Sequence, residues 1–342
     1  MTRPHILFSS ATLIRGLAQL GAIFALAFLP GYGTALILDR GDGLGNTTAP
    51  EDDPGWANIG QHLGSPSVVY LGNRWILTAH HVGPSIVIFD GQRYNPVQGS
   101  PLSLRNPDGT TADLLLFRID QDPPLPSLSI AKSPARVGED VILIAAGSSR
   151  GGRVTLESEA GGLLDGFLWN EDQTKRWGTN RVEARPQFIE NLNTTTMSFP
   201  ILFDRIESPP GTPHEASAGR GDSGGALFAH DDPLNPNAAW VLSGILFSVS
   251  GRTGHPASSS FYGDITWVAD LSFYREDILR HISPQAAQTV DLEPSEPKKT
   301  MQASGAENGG QSRAVALSLV LIVAVLICLI ARRRSSDNQS ER

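Results

Sequence analysis

From Trp56 to about Ile282, short apolar runs alternate with turn-forming residues, the rhythm of a chain of strands. The clearest pair is Ser67-Val68-Val69-Tyr70 and Trp75-Ile76-Leu77-Thr78, with Gly72-Asn73 between them, which predicts a hairpin closed by a tight turn. Further strands are predicted over Leu114–Ile119, Val141–Ala146, Trp240–Phe247 and Phe261–Val268. One helix is predicted near the end of this region, capped by Ser272 and carrying Phe273, Ile278, Leu279 and Ile282. No internal repeat stands out, so residues 56–282 read as one β-rich body.

The pattern changes on both sides of that body. Residues 36–55 are rich in Gly, Asp and Pro and read as a loose, flexible mature N-terminus. Residues 283–313 are dominated by Pro, Glu, Gln, Lys, Ser and Gly, cannot bury enough apolar surface to fold, and read as a flexible stalk. At the start, Arg3 and Arg15 flank the entry to an apolar run, Gly16 to Leu29, followed by small residues at Gly33 and Ala35. This predicts a secretory signal over 1–35, cleaved near Ala35. An uncleaved anchor and a strand are the competing readings, but the run is short and interrupted by Gln19. At the far end, residues 314–331 are uncharged, with Ser318 as their one clearly polar member, and Arg332-Arg333-Arg334 follow. That length suffices for a transmembrane helix, and the basic flank assigns 332–342 to a cytoplasmic tail. The two ends together predict an exported body, periplasmic or extracellular, held at the membrane by a single C-terminal helix. Gly309-Gly310 ahead of this segment also resembles some bacterial sorting signals, in which the tail is removed.

Composition narrows the classes. With 35 Gly, 24 Pro and 18% charged residues, the chain suits a turn-rich β protein better than a helical bundle. A net charge of −8, with no dense basic patch before the last dozen residues, argues against a nucleic-acid partner. The single cysteine, Cys328, lies in the apolar C-terminal segment, so the exported part has no disulfide and depends on its core.

Three segments carry chemistry: Trp75-Ile76-Leu77-Thr78-Ala79-His80-His81-Val82, Ala112-Asp113-Leu114-Leu115-Leu116-Phe117, and Gly221-Asp222-Ser223-Gly224-Gly225. A serine hydroxyl is a weak nucleophile at neutral pH and needs a neighbouring base. Histidine, titrating near pH 6.5, can take and return that proton. A carboxylate can then hold the imidazole tautomer and stabilise the imidazolium. Glycines beside Ser223 free the backbone to turn, so that the amides of Gly221 and Ser223 can form an oxyanion hole.

These segments resemble the signature motifs of the chymotrypsin/trypsin-like serine protease family, in its order His, Asp, Ser. The resemblance is complete for Gly221-Asp222-Ser223-Gly224-Gly225, and Leu77-Thr78-Ala79-His80-His81 departs from Leu-Thr-Ala-Ala-His at His80 alone. It implies an all-β fold of two six-stranded antiparallel β-barrels with a C-terminal helix, beside the transmembrane helix. It also implies a His81, Asp113, Ser223 triad in the cleft, acting on protein or peptide substrates without metal or cofactor. The alignment makes His81 rather than His80 the base. A two-histidine metal site is disfavoured because neighbours on a strand face opposite ways. Asp90 is the rival acid to Asp113. By position Ser217 would sit at the base of the primary substrate pocket, where a serine favours an apolar or small side chain over Arg or Lys. The Ile-Val-Gly-Gly start typical of activated members is absent, which leaves Asp222 without an identified partner. Two rival functions are a catalytically inactive homologue used for binding or adhesion, and an α/β-hydrolase esterase. The latter would place its serine in a Gly-x-Ser-x-Gly elbow and its histidine last.

Overall fold

The computed structural model describes residues 35–283, apart from 65, 158–160, 171–173, 233, 236 and 252–255. The signal up to residue 34, the stalk beyond Ser283, the segment 314–331 and the tail lie outside the described residues. Among the described residues no helix is long and apolar enough to cross a membrane.

The chain starts with β1 (Ile37–Leu38) and then lays down β2 (Ile59–His62), β3 (Ser67–Gly72), β4 (Trp75–Thr78), β5 (Val87–Phe89), β6 (Gln92–Tyr94), β7 (Leu102–Arg105) and β8 (Thr111–Arg118). There follow β9 (Asp140–Ala145), β10 (Ser149–Glu157), β11 (Leu163–Asn170), β12 (Arg176–Arg181), β13 (Gln187–Asn191) and β14 (Thr194–Leu202). The chain ends with β15 (Ala216–Ser217), β16 (Ala226–His230), β17 (Trp240–Ser250), β18 (Ser259–Phe261), β19 (Ile265–Asp270) and the helix α1 (Leu271–Ile282). The architecture is mostly β, with antiparallel sheets and one C-terminal helix, as the sequence resemblance implies.

Two sheets of seven strands form the body, in the orders β6-β5-β2-β3-β4-β8-β7 and β12-β9-β16-β17-β19-β14-β13. Each returns on itself. After β6, Pro96 pairs with Ile119, so β6 and β7 lie end to end along β8. After β12, Val182 pairs with Ile201, so β12 and β13 lie end to end along β14. Each ring therefore has six strand positions, one of them split in two. The splits fall at Pro96 and Pro101, and at Pro186, where proline removes a ladder donor.

The predicted hairpin is β3–β4, with Tyr70 opposite Ile76 and positive φ at Gly72, Asn73 and Arg74. Two other predictions need correction. Phe261–Val268 is not one strand: the chain turns at Gly263 (φ 91°), and the Asp264 carboxylate accepts from Phe261 N–H (2.8 Å). The helix cap is Asp270 rather than Ser272, its carboxylate accepting from Ser272 N–H at 3.0 Å. Aspartate caps a helix at least as well as serine, and here it sits one residue before the first helical turn.

One buried cluster joins the two rings. Ile59, Leu77 and Leu116 of the first meet Ile144, Phe228 and Ile245 of the second, with Tyr274 and Ile278 of α1 packed over the join. Each such side chain contributes on the order of 1.5–3 kcal/mol when fully buried.

The stretch predicted to be a loose N-terminus is instead tied down. Ala35 to Leu38 are 1% exposed or less, and Leu36 and Leu38 pack into the second ring's core. Ile37 and Leu38 pair with Ser217 and Ala216. The Arg150 guanidinium donates to the carbonyls of Leu38, Asp39 and Gly41, while Arg176 donates to those of Leu44 and Gly45. Three consecutive large apolar residues outweigh the Gly- and Asp-rich composition around them. Arg150→Ala is expected to cost about 2–4 kcal/mol of stability by unpinning this strand. Denaturant melts, with proteolysis near Gly41 as a second readout, check this.

Candidate active site

The antiparallel register of β4 on β8 brings two of the chemical segments together. Thr78 stands opposite Leu115, so the chain just beyond β4 arrives beside Asp113. There it enters a 3-10 turn, His80–Val82, and the turn presents the ring of His81 to the carboxylate. His81 N–H donates to Asp113 Oδ1 (2.9 Å), and His81 Nδ1 lies 2.8 Å from Asp113 Oδ2. Since a carboxylate can only accept, Nδ1 carries the proton and Nε2 is left as the acceptor. Nε2 lies 3.1 Å from Ser223 Oγ. Asp113 is wholly buried, whereas the His81 side chain is 29% exposed. His80 contributes a backbone carbonyl to the turn, and Asp90 lies in the β5–β6 turn, outside this chain of bonds.

Ser223 comes from the second ring, in the loop between β15 and β16, and that loop is braced from several sides. Ser67 N–H donates to Ser223 O (3.0 Å), and Gly224 N–H to Leu246 O (2.8 Å). A Cβ on Gly224 would stand 2.1 Å from Ser67 O and 2.3 Å from Thr78 Oγ1, and its φ of 84° disfavours a side chain as well. Gly221 (φ 86°) turns the chain on the other side. Both Gly221 and Ser223 line the cleft, and no hydrogen bond from either amide is found among the described residues.

Asp222 points the opposite way, into the protein, with 0% exposure. Its carboxylate accepts from Gly147 N–H (2.9 Å), Gly219 N–H (2.7 Å) and the backbone N–H of Leu36. Burial pushes its pKa up to about 7, against the pull of those three amides. The partners missing from the sequence reading are thus backbone amides, those of Gly147 and Gly219 foremost.

The cleft holding His81 and Ser223 has a volume of about 820 Å³. Trp169, Gly219, Phe247, Ser248 and Val249 line it, and among the described residues Arg220 is the one Lys, Arg, Asp or Glu on its wall. Ser217 is not on this wall. Its hydroxyl turns inward, donating to Ala218 O (3.3 Å) beside Thr266 Oγ1 (3.4 Å), because β15 pairs with β1 and is buried by it.

Sequence reasoning missed four supporting residues: Leu36, Ser67, Gly147 and Thr196. Thr196 Oγ1 accepts from the buried Asp113 N–H (2.8 Å) across the join between the rings. None has a local signature, since each acts on a partner 75 or more residues away.

No family model matches, and no curated protein matches. Among solved structures, the chain is similar to neuropsin, a serine protease expressed in the limbic system of mouse brain. The likeness has 18% identity and a TM-score of 0.43, over 70% of this chain and 99% of that one. It is also similar to the active form of the Rv3671c protease from M. tuberculosis, with 16% identity and a TM-score of 0.35, over 68% and 82%.

Two measurements bear on the site. Thr196→Val leaves Asp113 N–H unpaired and is expected to slow reaction at Ser223 on the order of ten-fold, readable as the rate of labelling by a serine-directed probe. The second concerns Glu215, which leads into β15. Its buried carboxyl accepts from Thr212 N–H (2.8 Å), Asn180 Nδ2 (2.8 Å) and Asp204 N–H (3.1 Å), yet burial raises its pKa from 4.5 to about 7. The folded protein therefore holds a proton that the unfolded chain releases, and stability falls as pH rises from about 4.5 to 7. Glu215→Gln is expected to flatten that fall by about one proton's slope in thermal melts over this range.

Proposed function

We propose that this chain is a serine endopeptidase with His81, Asp113 and Ser223 as its triad. The observation that carries the reading is the continuous chain from Asp113 Oδ2 through His81 to Ser223 Oγ, at 2.8 and 3.1 Å, opening on a cleft. Ser223 Oγ attacks the carbonyl carbon of the scissile bond as its proton passes to His81 Nε2. Asp113 stabilises the imidazolium that results. The oxyanion is taken by the N–H groups of Gly221 and Ser223, where losing one such donor typically costs on the order of 100- to 1000-fold in rate. Collapse expels the amine, which receives the proton from Nε2. Water then repeats the cycle on the acyl-enzyme.

The rival of an inactive homologue is disfavoured by the aligned geometry of all three side chains. The esterase rival is disfavoured because the named strands pair antiparallel, with no βαβ layering. Protein or peptide substrates suit an open cleft of this kind. With no acidic side chain on the described cleft wall and Arg220 at its edge, a basic side chain at the cleaved position is unfavourable. The apolar walls of Trp169, Phe247 and Val249 support an apolar or small one instead. The signals at both chain ends support work outside the membrane, with the protein anchored by residues 314–331.

The test is labelling by a fluorophosphonate. Wild type is expected to react, and Ser223→Ala and His81→Ala to lose the reaction entirely. A folded wild type that stays unlabelled sinks the reading. Peptide-library digestion is expected to show cleavage after apolar or small residues, and strict Arg or Lys cleavage would overturn that part.

A further inference from the structure

A second cavity, of about 510 Å³, opens where the chain just after β1 meets β10 and the loop after β14. It shares no lining residue with the cleft of His81 and Ser223. Four arginines stand on its wall, Arg40, Arg150, Arg153 and Arg205, against two acids, Asp39 and Glu207. The wall therefore carries a surplus of two positive charges, on a chain whose net charge is −8. Like charges gathered on one wall repel one another, and an anion placed between them relieves that repulsion.

Aromatic rings and a shared acceptor hold these guanidinium groups in place. That of Arg205 lies 4.0 Å from the ring centre of Tyr262, which itself stacks on Phe203 with centroids 4.9 Å apart. That of Arg150 lies 4.4 Å from the ring centre of Phe167. Its donors go to the carbonyls of Leu38, Asp39 and Gly41, so it supplies charge to the cavity rather than hydrogen bonds. Arg153 and Arg205 converge on one oxygen, Asp165 Oδ2, at 2.5 and 2.6 Å. One carboxylate thus serves two guanidinium groups. Nη1 of Arg153, with Nε and Nη1 of Arg205, meets no acceptor among the described residues. Asp39 is turned to other donors, its oxygens accepting from the Tyr262 hydroxyl and from Ile206 N–H (2.8 Å), and Glu207 is exposed. A planar fork already held against an aromatic ring loses little freedom when it takes up an oxyanion.

We propose that this cavity binds a phosphate monoester, with Arg153 and Arg205 on its oxygens and Arg150 supplying charge behind them. Charge and shape decide the class. A phosphate monoester carries about −1.5 to −2 charge near neutral pH, which matches the surplus on the wall. Its three terminal oxygens suit three uncommitted nitrogens on two forks, whereas a carboxylate offers two oxygens. The volume falls within the range of small-molecule sites, roughly 300–1,000 Å³, and so leaves room for the polyol that such an ester carries. A soluble glycerol or sugar phosphate and the headgroup of phosphatidic acid present the same chemistry. Neither the cavity nor its ligand depends on the protease reading, since none of these side chains takes part in it.

The experiment is calorimetric titration and thermal melting of the full chain with glycerol 3-phosphate and, at matched ionic strength, sodium chloride. Glycerol 3-phosphate is expected to bind with a Kd below about 1 mM and to raise Tm by about 2 °C or more near saturation, with chloride doing neither. Arg153→Gln and Arg205→Gln are each expected to weaken binding by about ten-fold or more. Glu207→Gln removes an opposing charge and is expected to tighten it by about two- to five-fold. Soluble dihexanoyl phosphatidic acid separates the two sources. Binding about ten-fold tighter than that of glycerol 3-phosphate assigns the ester to a lipid headgroup, and equal or weaker binding assigns it to a soluble ester; both support the site. No saturable binding of either ester beyond the chloride control overturns the proposal. So does binding that survives both arginine substitutions. Should those variants fail to fold, Glu207→Gln still decides, because an affinity no tighter than wild type overturns the proposal as well.

Discussion

A carboxylate sealed from water must find its hydrogen bonds inside the protein, and Asp222 finds them in three places far apart in sequence. Leu36 lies just ahead of β1, Gly147 just beyond β9, and Gly219 in its own loop. Because unpaired buried charge is costly, these contacts leave the segment from Gly219 to Gly225 little freedom. The orientation of Ser223 follows from this. Asp222 turns inward, the next residue turns outward, and the glycines on either side accept backbone angles that other residues resist.

The other half of the site depends on the first ring in a simpler way. The register of β4 against β8 brings the residues after Thr78 to Asp113, and the 3-10 turn selects which of two adjacent histidines meets it. The two halves are then held together by polar contacts across the join. Thr196 accepts from Asp113 N–H, and Ser67 holds Ser223 O while its hydroxyl accepts from Ala146 N–H (2.8 Å). Beneath them the shared core and α1 keep the rings from sliding. The site is thus a product of packing between two units, neither of which carries all of it.

Some of this was legible beforehand. The three chemical segments were local, each beside a strong apolar strand, so their side chains could be named. The β3–β4 hairpin and the terminal helix were readable from period and turn residues. The 149–202 region was not, because β10, β13 and the first half of β14 are rich in Arg, Thr and Asn and show weak apolar alternation. Ser217 lies buried against β1, which a position inferred by alignment could not show. The loose N-terminus failed for the reverse reason: composition averaged over 36–55 hid the apolar strand within it.

What the sequence determined by itself was the residue types and their order: a histidine, an aspartate and a serine, with glycines where the backbone must turn. These are properties of individual residues and their near neighbours. The tertiary structure alone decided which amides hold Asp222, what lines the cleft, and that the first strand is structural. Those depend on strand register and burial, where partners tens to hundreds of residues apart compete for the same buried space, and no local pattern encodes that outcome.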